Sequence, residues 1–256
     1  DGYISKATTG QKENIYQLAY CQYQTGDYNR AIENFKQLNL FNEKLGQNAT
    51  YALGDCYLKT NQKDKARSAF QSAAAMEFDE TIQQNALYNY GKLSFELGYS
   101  SNAIQSFESY LNKYPSGTYY NDVNELLATA LVQTKDYERA YKMMEKMDLS
   151  STLIKEAYQK VTYFRAVELF NDNQPDEALQ LCDKSMKYPL NLEIQALATY
   201  LKGEILYSQA KYDDAQEQYL AFNQLTTTAL EQKGQASKFR ATYNLAYCYF
   251  KKKDYN

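Results

Sequence analysis

Histidine and tryptophan are absent from the 256 residues, and the four cysteines form no CxxC motif. Without histidine the chain lacks the commonest general base, the commonest metal ligand and the usual activator of a nucleophilic serine or cysteine. Catalysis would have to rest on carboxylates, lysine or tyrosine, and nothing is arranged for it. No enzyme, no metal and no cofactor is expected. No apolar run approaches the length needed to cross a bilayer, so no direct membrane span is expected. Net charge is −3, from 28 basic and 31 acidic residues well mixed along the chain. A nucleic-acid binder would show a basic stripe, which is missing. There is no signal peptide, yet the chain opens at Asp1 without methionine and stops at Asn256 inside a repeat. It reads as a piece of a longer protein, in which case missing targeting signals carry no weight.

Three of the four cysteines obey one rule. Cys21, Cys56 and Cys248 each lie two positions after a small residue, Ala19, Gly54 or Ala246. Equivalent positions in successive helix pairs stand about 10 Å or more apart, too far for a disulfide. These three and Cys182 read as small buried hydrophobes.

What the chain does have is a recurring unit, clearest from Asn85 to Pro115, NALYNYGKLSFELGYSSNAIQSFESYLNKYP. Apolar residues recur at helical spacing between Ala86 and Leu97, so one face of that segment is buried. Gly91 lies on that face and lets a second helix approach closely; Ala103 does the same from the opposite side. Gly98 is placed to leave the first helix in a left-handed conformation, and Tyr114-Pro115 ends the second. One such hairpin cannot bury both of its apolar faces alone and needs stacked neighbours.

The spacing of Tyr90-Gly91, Phe95, Ala103, Phe107 and Pro115 resembles a tetratricopeptide repeat, a helix–turn–helix unit of about 34 residues. The resemblance implies an all-α fold, a right-handed α-α superhelix, here of six helix pairs plus a half-repeat. The alanine opening each second helix recurs at Ala31, Ala66, Ala103, Ala140, Ala178 and Ala215, in steps of 35, 37, 37, 38 and 37. Tyr212 then matches Tyr255, a step of 43. Such steps imply longer links between repeats than the family minimum. The repeats are expected at about 12–40, 48–79, 85–115, 121–148, 155–189 and 193–225, with a half-repeat at 235–256, as one domain over 1–256. Asn124 should weaken the first helix of its repeat, Pro175 should open a second helix, and Thr226-Thr227-Thr228 should loosen the chain. Asp79-Glu80 and Asp213-Asp214 fall where helices begin and suit the helix dipole.

All seven first helices carry Gly or Ala at the close-contact position: Ala19, Gly54, Gly91, Ala128, Ala166, Gly203 and Ala246. Four residues earlier, where the family often has tryptophan, stand Ile15, Thr50, Leu87, Asn124, Thr162, Thr199 and Thr242. Packing there should be lighter, with Phe107 or Tyr110 compensating.

The resemblance implies that first helices line a concave binding face. Three residues before each small position, Tyr16, Tyr51, Tyr88, Tyr163, Tyr200 and Tyr243 form a ladder broken only by Glu125. One and two turns further on, Tyr20, Lys92, Phe95, Phe170, Tyr207 and Tyr247 complete the candidate groove. Tyrosine offers a large rigid face plus a hydroxyl at low entropic cost, although packing against the next repeat would use the same residues. Asp122 and Glu125 make the centre locally acidic and favour a mildly basic segment of partner. The carboxylate clamp of chaperone-binding relatives is not expected, because only Asn89 has the right side chain among those sites.

The expectation is a non-enzymatic scaffold that holds a protein or peptide. Two alternatives stay open: a glycan- or peptidoglycan-binding module, since tyrosine faces stack on sugars, and self-association through the uncovered apolar side of the last helix. Leu111 to Tyr120, LNKYPSGTYY, resembles the repeat endings of bacterial envelope proteins of this family, among them outer-membrane assembly lipoproteins and the periplasmic coordinator of the Tol–Pal system. The whole chain is similar to the long tetratricopeptide proteins of Bacteroidetes. A periplasmic location follows, with a cytoplasmic one as the alternative.

Overall fold

The computed structural model describes residues 9–38, 42–225, 236 and 238–252. Thirteen helices and no strand occur among the described residues: α1 (Thr9–Gln24), α2 (Tyr28–Leu38), α3 (Lys44–Lys59), α4 (Lys63–Ala74), α5 (Glu80–Glu96), α6 (Ser100–Lys113), α7 (Tyr120–Thr134), α8 (Tyr137–Met144), α9 (Thr152–Asn171), α10 (Pro175–Met186), α11 (Leu192–Ser208), α12 (Tyr212–Leu225) and α13 (Lys238–Lys252). Residue contacts divide the chain into two compact units, Asp1–Ala130 and Leu131–Asn256, where the sequence reading expects one domain. The loosening expected at Thr226–Thr228 and the turn matched at Tyr255 lie outside the described residues.

Odd-numbered helices are the first of each pair and even-numbered helices the second. Six turns joining them share one construction. The residue just past the first helix takes a left-handed conformation: Gly26, Asn61, Gly98, Lys135, Asn173 and Ala210, with φ between 57° and 82°. Each lies five positions before the alanine of the following second helix, so the periodicity of the sequence is the periodicity of these turns. At Gly98, as expected, the Gly98 amide reaches Phe95 carbonyl at 3.1 Å and the Tyr99 amide reaches Ser94 carbonyl at 2.8 Å. That pair satisfies carbonyls the helix end would orphan. Glycine relieves the left-handed strain at Gly26 and Gly98, whereas Lys135 and Ala210 bear it.

Second helices bury one stripe; α2 does so with Ala31, Ile32, Phe35 and Leu38. First helices bury more of their circumference, as α9 does from Ile154 to Leu169, because a second helix packs on either side. The two meet where the first helix is small. A Cβ added to Gly54, Gly91 or Gly203 would fall 2.8, 2.6 or 2.9 Å from ring carbons of Phe70, Phe107 and Tyr219 respectively. Each of those rings is 16 positions further along and fully buried. Where the small residue is Ala166, the residue 16 further along is Cys182, which leaves room for the methyl; Ala19 and Phe35 share a core cluster despite the larger ring.

Thr50, Thr162 and Thr199, at the sites the family gives to tryptophan, are buried and satisfied locally. Their hydroxyls donate to the carbonyls of Gly46, Tyr158 and Gln195 at 2.7, 2.7 and 2.8 Å. Asn124 does the same to Tyr120 at 3.0 Å, and α7 runs through it unbroken. Phe107 and Tyr110 are fully buried. Pro175 opens α10, Asp79 caps α5 by accepting from the Ile82 amide at 3.1 Å, and Asp213-Asp214 lie in the first turn of α12.

Two readings need correction. Cys56, Cys182 and Cys248 are buried, but Cys21 is exposed. Among the described residues no helix pair precedes α1 to cover it. Ala246, expected at a close contact, is also exposed, since no second helix follows α13 among the described residues.

The links between repeats are held by glutamines that the sequence did not advertise. Gln47 is fully buried in α3. Its Nε2 donates to the carbonyls of Ala73 and Met76 at 3.2 and 2.7 Å, and its Oε1 accepts from the Asp79 amide at 2.7 Å. Gln159 repeats the device in α9, donating to the Asn191 carbonyl at 3.1 Å and accepting from its amide at 2.8 Å. In both cases the residue gripped is the N-cap of the next first helix.

Gly91→Ala should lower stability by about 1 kcal/mol, because crowding of Phe107 costs about 1–3 kcal/mol and outweighs alanine's better helix propensity. Urea unfolding checks this, and adding Phe107→Met should recover part of the loss. Ala210→Gly should raise stability by about 0.5–1 kcal/mol by removing left-handed strain. Gln47→Leu should cost about 2–4 kcal/mol, since it strands the Met76 carbonyl and the Asp79 amide in a largely buried link.

Candidate partner-binding face

In the first unit, neighbouring first helices are tied to one another by side chains of the candidate face. The Tyr23 hydroxyl of α1 donates to the Asp55 carboxylate of α3. Asn89 Nδ2 of α5 donates to the Tyr51 hydroxyl of α3 at 3.3 Å. The Tyr88 hydroxyl of α5 donates to the Asp122 carboxylate in the first turn of α7, and its oxygen accepts from Lys92 Nζ at 3.3 Å. Each link between helices joins a tyrosine to a polar group one repeat away.

The rings are anchored from below. Tyr51 tilts onto Phe70 with centroids 5.4 Å apart, and Tyr16 meets the edge of Phe35 at 5.9 Å. Tyr16 also lies parallel to the exposed Tyr20 at 6.2 Å. Phe95 is half-buried and Lys92 exposed. Tyr88 is 9% exposed and stacks face to face on Tyr119, at 4.0 Å and 9°.

Tyr119 is a member of this face that helical spacing could not find, because it lies in the link before α7. Its amide donates to the Tyr110 hydroxyl at 2.9 Å. A Cβ on Gly117 would fall 2.2 Å from Gln84 Nε2 and 2.6 Å from the Tyr110 hydroxyl, so a larger residue there would push both side chains aside. A glycine just ahead of paired tyrosines was the one signal available.

Burial raises the hydroxyl pKa of Tyr16, Tyr51 and Tyr88 above the usual tyrosine value, with the Asp122 carboxylate adding to the rise at Tyr88. At Tyr23 the hydrogen bond to Asp55 is the main cause of a similar rise. These hydroxyls are protonated at neutral pH, and those of Tyr23 and Tyr88 donate to the carboxylates of the next first helix.

In the second unit, Tyr163 is 7% exposed, tilts onto Phe164 at 5.0 Å, and has its pKa pushed up to about 12 by burial. Tyr200 is half-buried over Phe222 at 5.2 Å, and burial followed by the Glu204 carboxylate raises its pKa to about 12. Glu204 accepts from the Tyr219 hydroxyl at 2.6 Å and from Asn244 Nδ2 of α13 at 2.5 Å. Phe170 is half-buried, and Tyr207 meets the edge of Tyr212 at 5.5 Å. Tyr243 and Tyr247 are exposed, with centroids 4.9 Å apart.

The candidate residues thus fall into two sets. Tyr88 and Tyr163 are mostly packed inside, while Tyr20, Lys92, Tyr243 and Tyr247 are open to solvent and the others lie between. No cluster of three or more His, Cys, Asp or Glu that could hold a metal occurs among the described residues. No described helix is long and apolar enough to cross a membrane.

Residues 51–118 match the family model described as tetratricopeptide repeat, and residues 3–73 match that described as anaphase-promoting complex, cyclosome, subunit 3. No curated protein sequence matches the chain. Among solved structures the chain is similar to Naa15/Naa10 bound to HypK-THB, with 14% identity over 93% of this chain and 39% of that one and a TM-score of 0.50. It is similar to the C-terminal part of a TPR repeat-containing protein of Cytophaga hutchinsonii, with 18% identity, 93% and 89% coverage and a TM-score of 0.48. A third likeness, to the P58(IPK) TPR domain, has 15% identity and a TM-score of 0.41; it covers 95% of this chain but 66% of that one, just under two thirds. Recurrent helix pairs closed by a small residue against a ring thus share the tetratricopeptide repeat architecture, and residues 51–118 match that family's model.

Proposed function

We propose that the protein is a non-enzymatic scaffold that holds an extended peptide or protein segment against the first-helix face of residues 9–130. The observation that carries this is the row of side-chain links Tyr23–Asp55, Asn89–Tyr51 and Tyr88–Asp122. Each link holds a donor and an acceptor in register across adjacent helices before any partner arrives. Preorganisation of that kind lowers the ordering cost of binding. Tyr20 and Tyr51 supply apolar contact, while Asp55 and Lys92 are placed to meet main-chain amides and carbonyls. The exposed Asp122 favours a mildly basic stretch of the ligand at that point. The bacterial envelope, and the periplasm within it, is the proposed setting; its support is the likeness of residues 111–120 to repeat endings of envelope proteins.

Photo-crosslinking in the native cell tests the reading. A photoreactive phenylalanine analogue at Tyr20 or Tyr51 should yield a discrete protein adduct, whereas the same analogue at exposed Ser68 of α4 or Ser109 of α6 should not. Lys92→Glu should then weaken binding of the captured segment by about tenfold, or about 1.4 kcal/mol. Equal adducts from all four positions would overturn the face assignment, and saturable muropeptide binding lost in Tyr51→Ala would favour a glycan instead. Recovery of the chain in the cytosolic fraction would sink the envelope setting alone.

A further inference from the structure

A groove of about 520 Å3 lies between α3 and α4 in the first unit, and none of its lining residues belongs to the candidate partner-binding face. Its floor is apolar: Leu53 and the Tyr57 ring from α3 and Ala69 from α4 line it, and all three are buried. Its rim is polar, with Asp64, Lys65, Ser68 and Ser72 of α4 exposed along it. An apolar floor with a few polar groups converging on it is the make-up of a small-ligand site, and the volume is of that order.

Tyr57 is the residue that asks for an occupant. It is 8% exposed, yet its hydroxyl has no hydrogen-bond partner among the described residues. Leaving a buried hydroxyl unpaired is costly. The equivalent tyrosine of another repeat shows what is missing. Tyr249 stands three residues after Ala246, as Tyr57 stands three after Gly54. The Tyr249 hydroxyl accepts from Gln216 Nε2 of the preceding second helix at 2.8 Å. Gln216 directly follows Ala215; in α2 the residue directly following Ala31 is Ile32, which shares a core cluster with Tyr57 and has no polar side-chain atom to offer.

The groups on the rim define what could supply that partner. Ser68 and Ser72 commit their protons to the carbonyls of Asp64 and Ser68, at 3.0 and 3.1 Å, and so turn acceptor oxygens to the groove. The Asp64 carboxylate is a third acceptor. Lys65 Nζ is held by Gln62 Oε1 at 2.7 Å and stands 5.7 Å from the centre of the Tyr57 ring, where it offsets the charge of Asp64. The matching ligand carries no net charge, brings several O–H donors, and has an apolar side to lie on Leu53, Ala69 and the ring. A saccharide combines all three, with hydroxyls around its edge and C–H groups on its face.

We infer that the groove between α3 and α4 binds a short neutral saccharide, which hydrogen-bonds the Tyr57 hydroxyl and sets its own hydroxyls against Ser68, Ser72 and Asp64. This site is separate from the peptide-holding face, and either can fail without the other.

Fluorescently labelled maltotriose, cellotriose and triacetylchitotriose, titrated against the whole chain by anisotropy, are the probes. Saturable binding of at least one is expected, weakened about three- to tenfold by Tyr57→Phe. Ser68→Arg should abolish it by filling the groove from an exposed position. Tyr57→Phe should leave the thermal midpoint unchanged or raised, because the hydroxyl it removes is unpaired; a lowered midpoint would reveal a partner within the protein and overturn the proposal. Lys92→Glu, which weakens the peptide-holding face, should leave saccharide binding unchanged. Failure of all three sugars to bind, or binding that both groove variants leave intact, would overturn the proposal. So would tighter binding of trilysine lost in Asp64→Asn, which would make the occupant a cation. Self-association of the chain abolished by Ser68→Arg would overturn it too, by making the occupant a second copy.

Discussion

A bare Cα facing an aromatic ring is the contact from which the rest of this protein follows. Phe70, Phe107 and Tyr219 lie so close to Gly54, Gly91 and Gly203 that a methyl group has no space between them. That closeness brings the two helices of a pair together, buries the ring completely, and leaves a second helix free to pack on its other side against the next first helix. Because interiors are close-packed, the approach propagates: each pair can bury its apolar stripe only by presenting the next pair with a surface of matching shape. Where no described helix closes the notch, as at Ala246, the aromatic side chains around it stand open.

Polar side chains then decide how one pair meets the next. Gln47 and Gln159 are inside the protein and spend their amides on the peptide groups of the links, gripping the N-cap residue that starts the following first helix. Threonines take the sites where a larger residue would be expected, and return their hydroxyls to their own helix. These glutamines and threonines are tolerated inside because each is paired, and left unpaired they would cost more than the contacts they replace. The links that Gln47 and Gln159 grip are therefore not loose. The link from Tyr114 to Tyr119 is folded back on Tyr110 and delivers a ring onto Tyr88.

The same tyrosines serve the interior and the surface. A rung such as Tyr51 leans on Phe70 below and accepts a hydrogen bond from Asn89 beside it. Packing and recognition do not compete here, because a tyrosine has an apolar body and a polar tip. The row of cross-repeat links makes the face of the first unit a fixed pattern of donors and acceptors, with Lys92 and Asp122 exposed on it.

Helices, turns and the small-against-large pairing were legible from residues alone. Apolar spacing, a glycine at Gly98 and alanines at steps of 35 to 38 each encode a local geometry, and local geometry repeats. Left-handed turns at Lys135 and Ala210 were not legible, since those residue types do not ask for that conformation; the two packed helices impose it. Nor could spacing reveal that Cys21 and Ala246 are exposed while their counterparts are covered, because exposure depends on what lies alongside. Tyr119 joined the face only through a link that folds back around Gly117. Periodicity thus determined which residues share a helix face, because that depends on 3.6 residues per turn and nothing more. Tertiary structure alone decided which of those faces are sealed, which hydroxyls find a partner in the next repeat, and which aromatic side chains remain open, because each depends on segments more than thirty residues apart in sequence meeting in space.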